Sequence, residues 1–252
     1  MKFTKMHGAG NDFVMLDARG GFSLDTQALR RLANRPSGVG CEGVIAVVDS
    51  PGYDFGMRFF NPDGSEAELC GNGARCVAAY ARRIGAAVSD KMRFSTLAGD
   101  ITAEIVGPRE VKISMPPLKD MKGDFINSGV PHRIVPCKDI AMIDVETEGR
   151  RIRNSAEYAP AGTNVDFVEF RSSRLLKIRT YERGVEAETF ACGTGSVAAA
   201  AIGTARYGMR LPVTVETARG ERLVVDGSFD GSSFSDVTLT GPVEFVFEGE
   251  II

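Results

Sequence analysis

The chain has 252 residues, 43% of them hydrophobic and 25% charged, enough for one large or two smaller globular domains with a sizeable core. Its formal net charge of −3 comes from interspersed signs without a run of like charge, which excludes a nucleic-acid surface, a polybasic membrane anchor and an acidic tail. With two histidines and no Cys-x-x-Cys or His-x-x-x-His spacing, no metal site is expected.

The N-terminal stretch MKFTKMHGAGNDFVMLD holds no apolar run of signal-peptide length, and no later segment approaches a membrane span, so a soluble, cytoplasmic protein without a membrane partner is expected. A helix is predicted over about Asp25 to Arg35, with Ser23 or Asp25 capping its first turn and Leu29, Leu32 and Ala33 as its apolar face. GSEAELCGNG at 64–73 runs into ARCVAAYARRIG, a second helix whose small side chains on most faces imply burial on several sides. VKISM reads as a strand that Met115-Pro116-Pro117 breaks, and the boundary between two halves, 1–115 and 116–252, is placed there. GVEAETFACGTG at 184–195 leads into a third helix, SVAAAAIGTARYG. The runs LLKIRTYE, LPVTVETARGERLVVDG and DVTLTGPVEFVFEG read as antiparallel strands and hairpins, the last of which can return to the first half.

The two segments that precede helices are an internal repeat: each has Gly, then Glu-Ala-Glu, then Cys-Gly-x-Gly, with two residues inserted in the second copy. The expected fold is therefore α+β, two similar halves that are each a curled sheet around a central helix, with the active site between them.

Cys70 and Cys192 sit at matched helix starts. Such a terminus presents unpaired N–H groups and a partial positive charge, which favours a carboxylate or a thiolate. A thiol there is expected to ionise more easily, and the glycines that follow let a ligand approach the backbone. One ionised and one protonated thiol suit stereochemical inversion: one removes a proton from a carbon while the other delivers a proton to the opposite face. Of the remaining cysteines, Cys76 and Cys137 read as structural, and Cys41 in GVGCEG stays undecided. Gly193, Gly195 and Ala198 also fit a dinucleotide fingerprint, but no buried parallel strand precedes them and no ribose-binding acid follows, so nucleotide binding is set aside.

KMHGAGNDF, FNPDGSEAELCGNGARC, PAGTNVDFV and YERGVEAETFACGTG together resemble the signatures of the diaminopimelate epimerases, and the resemblance runs through essentially the whole chain. It implies two pseudo-symmetric halves, and interconversion of LL- and meso-diaminopimelate as a small-molecule substrate without any cofactor. It also implies that Cys70 and Cys192 are the acid/base pair, with His132 and Glu182 near the cysteines helping to set their protonation. Asn11, Asn61 and Asn164 match substrate-binding asparagines, whose amides both donate and accept. Arg183 matches the residue that grips the distal carboxylate, with Glu182 beside it in substrate recognition. Gly71 and Asn72, with Gly193 and Thr194, match donors to the reacting carboxylate.

Three positions depart from the pattern. Val130 stands where many members have asparagine, and Gly43 where some have a substrate-contacting glutamine. Phe247 replaces a tyrosine associated with dimers, so a homodimer is only an open expectation. Two rival functions remain. One is a racemase of the same fold acting on histidine or proline, against which Arg183, Asn61 and Asn164 favour a substrate with a second carboxylate and amine. The other is a non-catalytic thiol protein in which a Cys70–Cys192 disulfide gates ligand binding.

Overall fold

Short β-branched runs build sheet and alanine-rich stretches build helix in a computed structural model that describes residues 1–21 and 25–251. Contacts divide the chain into two units, Met1–Ile113 with Gly241–Ile252, and Ser114–Thr240. The last strand thus belongs to the first unit. Among the described residues no helix is long and apolar enough to cross a membrane.

In the first unit, β1 (Lys2–Gly8) and β2 (Asn11–Asp17) form a hairpin turned by Ala9 and Gly10, both at positive φ as a tight two-residue turn requires. α1 (Thr26–Ala33) follows. Asp25 caps it by accepting from the Gln27 N–H at 3.1 Å, and Leu29, Leu32 and Ala33 are buried as their spacing predicts. Ser23, the other cap candidate, lies outside the described residues. The helix stops at Ala33, short of Arg35, because Pro36 disfavours helical geometry in the residue before it. β3 (Gly43–Val48) pairs in parallel with β2, and β4 (Phe55–Phe60) pairs antiparallel with β3 and with the short β5 (Glu66–Ala67). After α2 (Gly71–Arg83), β6 (Lys91–Thr96) pairs in parallel with β4, and β7 (Gly99–Gly107) and β8 (Glu110–Ser114) continue antiparallel. The final strand, Glu244–Glu250, lies antiparallel to β1.

The second unit starts with β9 (Lys119–Lys122), β10 (Phe125–Asn127) and β11 (Pro131–Pro136), joined antiparallel. α3 (Val145–Arg153) leads to β12 (Asn164–Ser172), parallel to β11, and β13 (Leu175–Glu182) pairs antiparallel with β12 and with the short β14 (Ala187–Thr189). After α4 (Gly193–Arg206), β15 (Val213–Glu216) is parallel to β13, and β16 (Arg222–Phe229) and β17 (Phe234–Pro242) continue antiparallel.

The order of antiparallel and parallel pairings is therefore the same from β1 to β8 and from β10 to β17, with α2 and α4 inserted at the same point. Each helix is the centre of its unit. α2 packs on β1, β2, β3, β4 and β7, and every residue from Asn72 to Ala81 is buried. α4 packs on β10, β11, β12, β13, β15 and β16, and is buried from Gly195 to Gly203. A helix enclosed on all sides has no polar face to offer, which is why alanine, glycine and valine fill both.

α3 escapes the sequence reading. Asp144 caps it, accepting from the Thr147 N–H at 3.1 Å, and Glu146 and Glu148 in its first turn with Arg150, Arg151 and Arg153 in its last complement the helix dipole. Its middle residue, Gly149, lies so close to Tyr181 that a Cβ there would collide with the Tyr181 Cβ. Gly149→Ala should destabilise the protein by roughly 1–3 kcal/mol through overpacking, despite the better helix propensity of alanine. Urea unfolding of the variant measures the loss.

Candidate active site

Cys70 and Cys192 are the N-caps of α2 and α4, both with extended backbone (φ −127°, ψ 118° and φ −108°, ψ 112°). Their carbonyls accept the first helical bonds, from the Ala74 N–H at 2.7 Å and the Ser196 N–H at 2.9 Å. Gly71 and Asn72, and likewise Gly193 and Thr194, are the first two helical residues, whose N–H groups have no acceptor within their own helix.

The surroundings of Cys192 are polar, buried and ordered by strand parity. Register pairs His132 on β11 with Asn164 on β12, and Asp166, two residues on, with Thr180 on β13. Alternation turns all four to the α4 side of the sheet, together with Glu182 two residues beyond Thr180. His132 and Asp166 have fully buried side chains, and Nδ1 lies 2.7 Å from Asp166 Oδ2. Asp166 Oδ1 accepts from the Thr180 hydroxyl at 2.7 Å. His132 Nε2 lies 2.9 Å from Thr194 Oγ1, which in turn lies 3.4 Å from Cys192 Sγ. The same sulfur accepts from the Gly195 N–H at 3.4 Å. A Cβ on Gly195 would come within 2.5 Å of Asp166 Oδ1, so this glycine lets the carboxylate approach the first turn of α4.

The other candidates of this unit converge on Asn164. Its Oδ1 accepts from the Arg183 backbone N–H at 2.8 Å, and its Nδ2 donates to the Pro131 carbonyl at 3.2 Å. The Arg183 guanidinium donates to the Ala161 carbonyl at 3.3 Å and forms no ion pair among the described residues. Glu182 accepts from the Thr189 hydroxyl at 2.9 Å.

The equivalent positions around α2 are apolar. Register pairs Phe13 with Gly43 and Ile45 with Phe59, where the second unit has His132 with Asn164 and Asp166 with Thr180. Ile45 occupies the place of Asp166, and a Cβ on Gly73 would come within 2.6 Å of its Cδ1. Gly43, one of the three departures, has no room for a side chain because the Phe59 ring fills that space. Asn11 donates from Nδ2 to Glu42 at 2.7 Å, while its buried Oδ1 has no hydrogen-bond partner among the described residues. Asn61 closes its own turn, donating to Ser65 Oγ at 3.0 Å. Asn72 is buried and accepts at Oδ1 from Arg75 Nη2 at 2.9 Å.

The expectation of an easily ionised thiol fails at Cys192. Burial is the largest influence, with the carboxylates of Glu182 and Asp166 next, and together they push this thiol well above the ordinary range. A helix terminus contributes about 0.3–1 kcal/mol, up to about 2 in buried geometry. Full desolvation moves a group by up to roughly 3–5 pK units, so burial wins. Burial likewise pushes Cys76 up to about 12 and raises Cys41 and Cys137. Cys41, left undecided by the sequence, packs in the core between α1 and the first sheet. Burial raises Glu182 too, with Thr189 and His132 opposing.

The sequence reading missed Asp166, Thr180 and Arg75. Asp166 was accessible through the two-residue period from Asn164, and Thr180 through the same period from Glu182. Arg75 is fully buried with its charge disfavoured by desolvation and supported by Cys76 and Cys70, and its Nε and Nη1 have no hydrogen-bond partner among the described residues. No local pattern marks an arginine inside an alanine-rich helix as buried.

The sequence profile of the diaminopimelate epimerases matches residues 3–119 and 125–246. The diaminopimelate epimerase of Aquifex aeolicus (strain VF5) is 43% identical, with 100% of this chain and 98% of that protein covered. That of Chlorobaculum tepidum is 38% identical, with 98% and 99% covered. A crystal structure of a Bacillus anthracis phenazine biosynthesis protein of the PhzF family superposes with a TM-score of 0.76 at 18% identity, covering 100% of this chain and 99% of that one. This last likeness is one of fold.

Glu182 supplies a test of the site's electrostatics. Its folded pKa is raised, so the folded state holds the proton more tightly than the unfolded state, and stability falls as pH rises from the unfolded towards the folded pKa. Glu182→Gln removes that cost. The variant should be more stable than the wild type at pH 8, with the gain vanishing as pH drops below the ordinary carboxyl range, as read by urea unfolding at both ends.

Proposed function

The chain belongs to the diaminopimelate epimerase family, and from that premise we propose that it interconverts LL- and meso-diaminopimelate, with Cys70 and Cys192 exchanging the proton of one α-carbon. The observation that carries the reading is the repeated one: in each unit a cysteine caps the N-terminus of a helix enclosed by sheet.

The α-hydrogen beside a carboxylate is far less acidic than a thiol, so most of the barrier lies in the negative charge that builds up on that carboxylate as the proton leaves. Fixed donors aimed at it lower the barrier without having to reorganise. The N–H groups of Gly71, Asn72, Gly193 and Thr194 are such donors. As one sulfur takes the α-proton, the other supplies a proton to the opposite face, and the two exchange roles in the reverse direction. No cofactor enters this step.

The distal end of the substrate carries a second carboxylate and amine. Arg183, without a protein carboxylate among the described residues, suits the carboxylate through two parallel hydrogen bonds. The Oδ1 of Asn11, without a partner among the described residues, is an acceptor of the kind an ammonium group needs. A proline-type substrate would leave the guanidinium unpaired, which disfavours the rival racemase reading. We also read the chain as a homodimer formed through the final strand, where Phe245, Val246 and Phe247 are exposed. The five free thiols fit a reducing cytoplasm.

Solvent deuterium should enter the α-position of diaminopimelate in the presence of the protein, followed by NMR. Cys70→Ser and Cys192→Ser should each abolish epimerisation while leaving substrate binding largely intact, and full turnover in both would sink the two-base reading. Arg183→Met should raise KM by about ten- to a hundredfold, the worth of a charge-assisted pair, with a smaller change in kcat. Sedimentation equilibrium checks the dimer, since a monomer at micromolar concentration would refute it.

A further inference from the structure

Two ion pairs, one in each unit, repeat with the same geometry at the same place in the fold. On β4, Arg58 donates from Nε to Glu66 Oε1 at 2.7 Å and from Nη2 to Oε2 at 2.8 Å. On β13, Arg179 donates from Nε to Glu188 Oε1 at 2.7 Å and from Nη2 to Oε2 at 2.6 Å. In both, two parallel N–H groups of the guanidinium meet the two oxygens of the carboxylate. Register makes them equivalent: Phe60 pairs with Glu66 as Tyr181 pairs with Glu188, and each arginine lies two residues before that aromatic residue. Alternation puts both pairs on the sheet face turned away from the central helix, since Phe59 and Thr180 take the other face.

This equivalence differs from the one the sequence repeat suggests. Matching Glu-Ala-Glu to Glu-Ala-Glu sets Glu66 against Glu186, but Glu186 pairs with Arg153 of α3. Glu188 is the residue that, like Glu66, stands four places before its cysteine. The strands that carry the two glutamates are slight. β5 has two residues and β14 three, and among the described residues they pair only with β4 and with β13. Each ends three residues before the cysteine that caps the next helix. So few ladder bonds leave a segment easily opened. A two-pronged Arg–carboxylate pair is the geometry in which a partly exposed ion pair does contribute. Arg58 holds the Glu66 carboxyl below its ordinary range, so the first pair stays intact at neutral pH. Arg179 also donates from Nη1 to the carbonyls of Ile140 and Ile143 at 3.1 and 2.9 Å, which anchors the second pair on the segment before α3.

We propose that Arg58–Glu66 and Arg179–Glu188 are duplicated clasps that hold Cys70 and Cys192 in their reacting positions. The proposal rests on the epimerase reading, in which both sulfurs must stay within proton-transfer reach of one α-carbon. All four residues are positioning residues: they lie on the far face of the sheet and act through the short strand and the three residues that lead from it to the cysteine. A misplacement of about 1 Å can cost roughly a hundredfold in rate, so a weak strand next to a reacting sulfur needs such a fastening. Each unit carries its own clasp because each turnover uses both sulfurs.

The test takes Arg58→Met, Glu66→Ala and their double variant in the full chain, and the matching set of Arg179→Met, Glu188→Ala and their double. It uses two readouts: deuterium exchange into diaminopimelate, and the rate at which iodoacetamide alkylates each cysteine at fixed pH, resolved by peptide mass spectrometry. Each single variant should lower kcat by about ten- to a hundredfold with KM little changed. Each double should fall no further than its singles, because losing either residue already opens the clasp. Breaking the first clasp should speed alkylation of Cys70 and leave Cys192 as in the wild type, and breaking the second should do the reverse. Glu188→Ala keeps the Arg179 bonds to Ile140 and Ile143, so its effect is that of the clasp alone. Wild-type kcat with unchanged alkylation of the nearer cysteine overturns the proposal. Equal acceleration at both cysteines with a lowered urea midpoint also overturns it, since the pairs would then serve only global stability. Absence of exchange by the wild type would overturn the epimerase reading instead, and the alkylation rates would still decide whether each clasp holds its own cysteine.

Discussion

A helix enclosed by sheet on every side must still satisfy the N–H groups of its first turn, and leaving one buried and unpaired costs about 1–3 kcal/mol. This constraint shapes both units. The Cys192 side chain caps α4, whereas the Cys70 side chain makes no cap hydrogen bond at α2, and a glycine follows each cysteine so that a partner can come close. At α4 the cap bond from Gly195 to the Cys192 sulfur is that satisfaction made visible. On the proposed reading the first-turn donors of α2 and α4 serve the substrate carboxylate, so that a requirement of folding and a requirement of catalysis would coincide on the same atoms.

Enclosure also reverses a simple electrostatic expectation. A helix terminus alone favours a thiolate, yet burial and two nearby carboxylates hold Cys192 in its neutral form. For the proton delivery proposed for Cys192 this is the useful direction, because a thiol that had already ionised has nothing to give. The same burial excludes water, which strengthens every remaining interaction with the charge that develops on the substrate.

Much of this architecture was legible from the chain. The repeat around Cys70 and Cys192 located both central helices, and the run of small residues after each cysteine predicted their enclosure. α3 was hidden because Gly149 interrupts an otherwise readable helix, and the reason for that glycine, the nearness of Tyr181, lies some thirty residues away in sequence. The network at Cys192 was half legible. His132 and Glu182 came from the family resemblance, but Asp166 and Thr180 become meaningful only when the register of β11, β12 and β13 is known. The state of Cys192 was not legible at all, since local sequence reports a helix start and not the depth at which it is buried. The departure at Gly43 acquires its cause in the same way, from a phenylalanine on the neighbouring strand.

The matched registers of the two units have an evolutionary corollary. If the units descend from one duplicated ancestor, the trio Phe13, Ile45 and Phe59 and the trio His132, Asp166 and Thr180 are alternative fillings of a single ancestral slot. Neither filling can be exchanged for the other one residue at a time. A lone carboxylate among phenylalanines is an unpaired buried charge, and a lone phenylalanine beside Asp166 strands its partners, so each intermediate is less stable than either end. Substitutions within a trio are strongly non-additive for that reason. Under that descent, a valley of unstable intermediates would keep the two fillings apart and commit a symmetric scaffold to two chemically distinct halves.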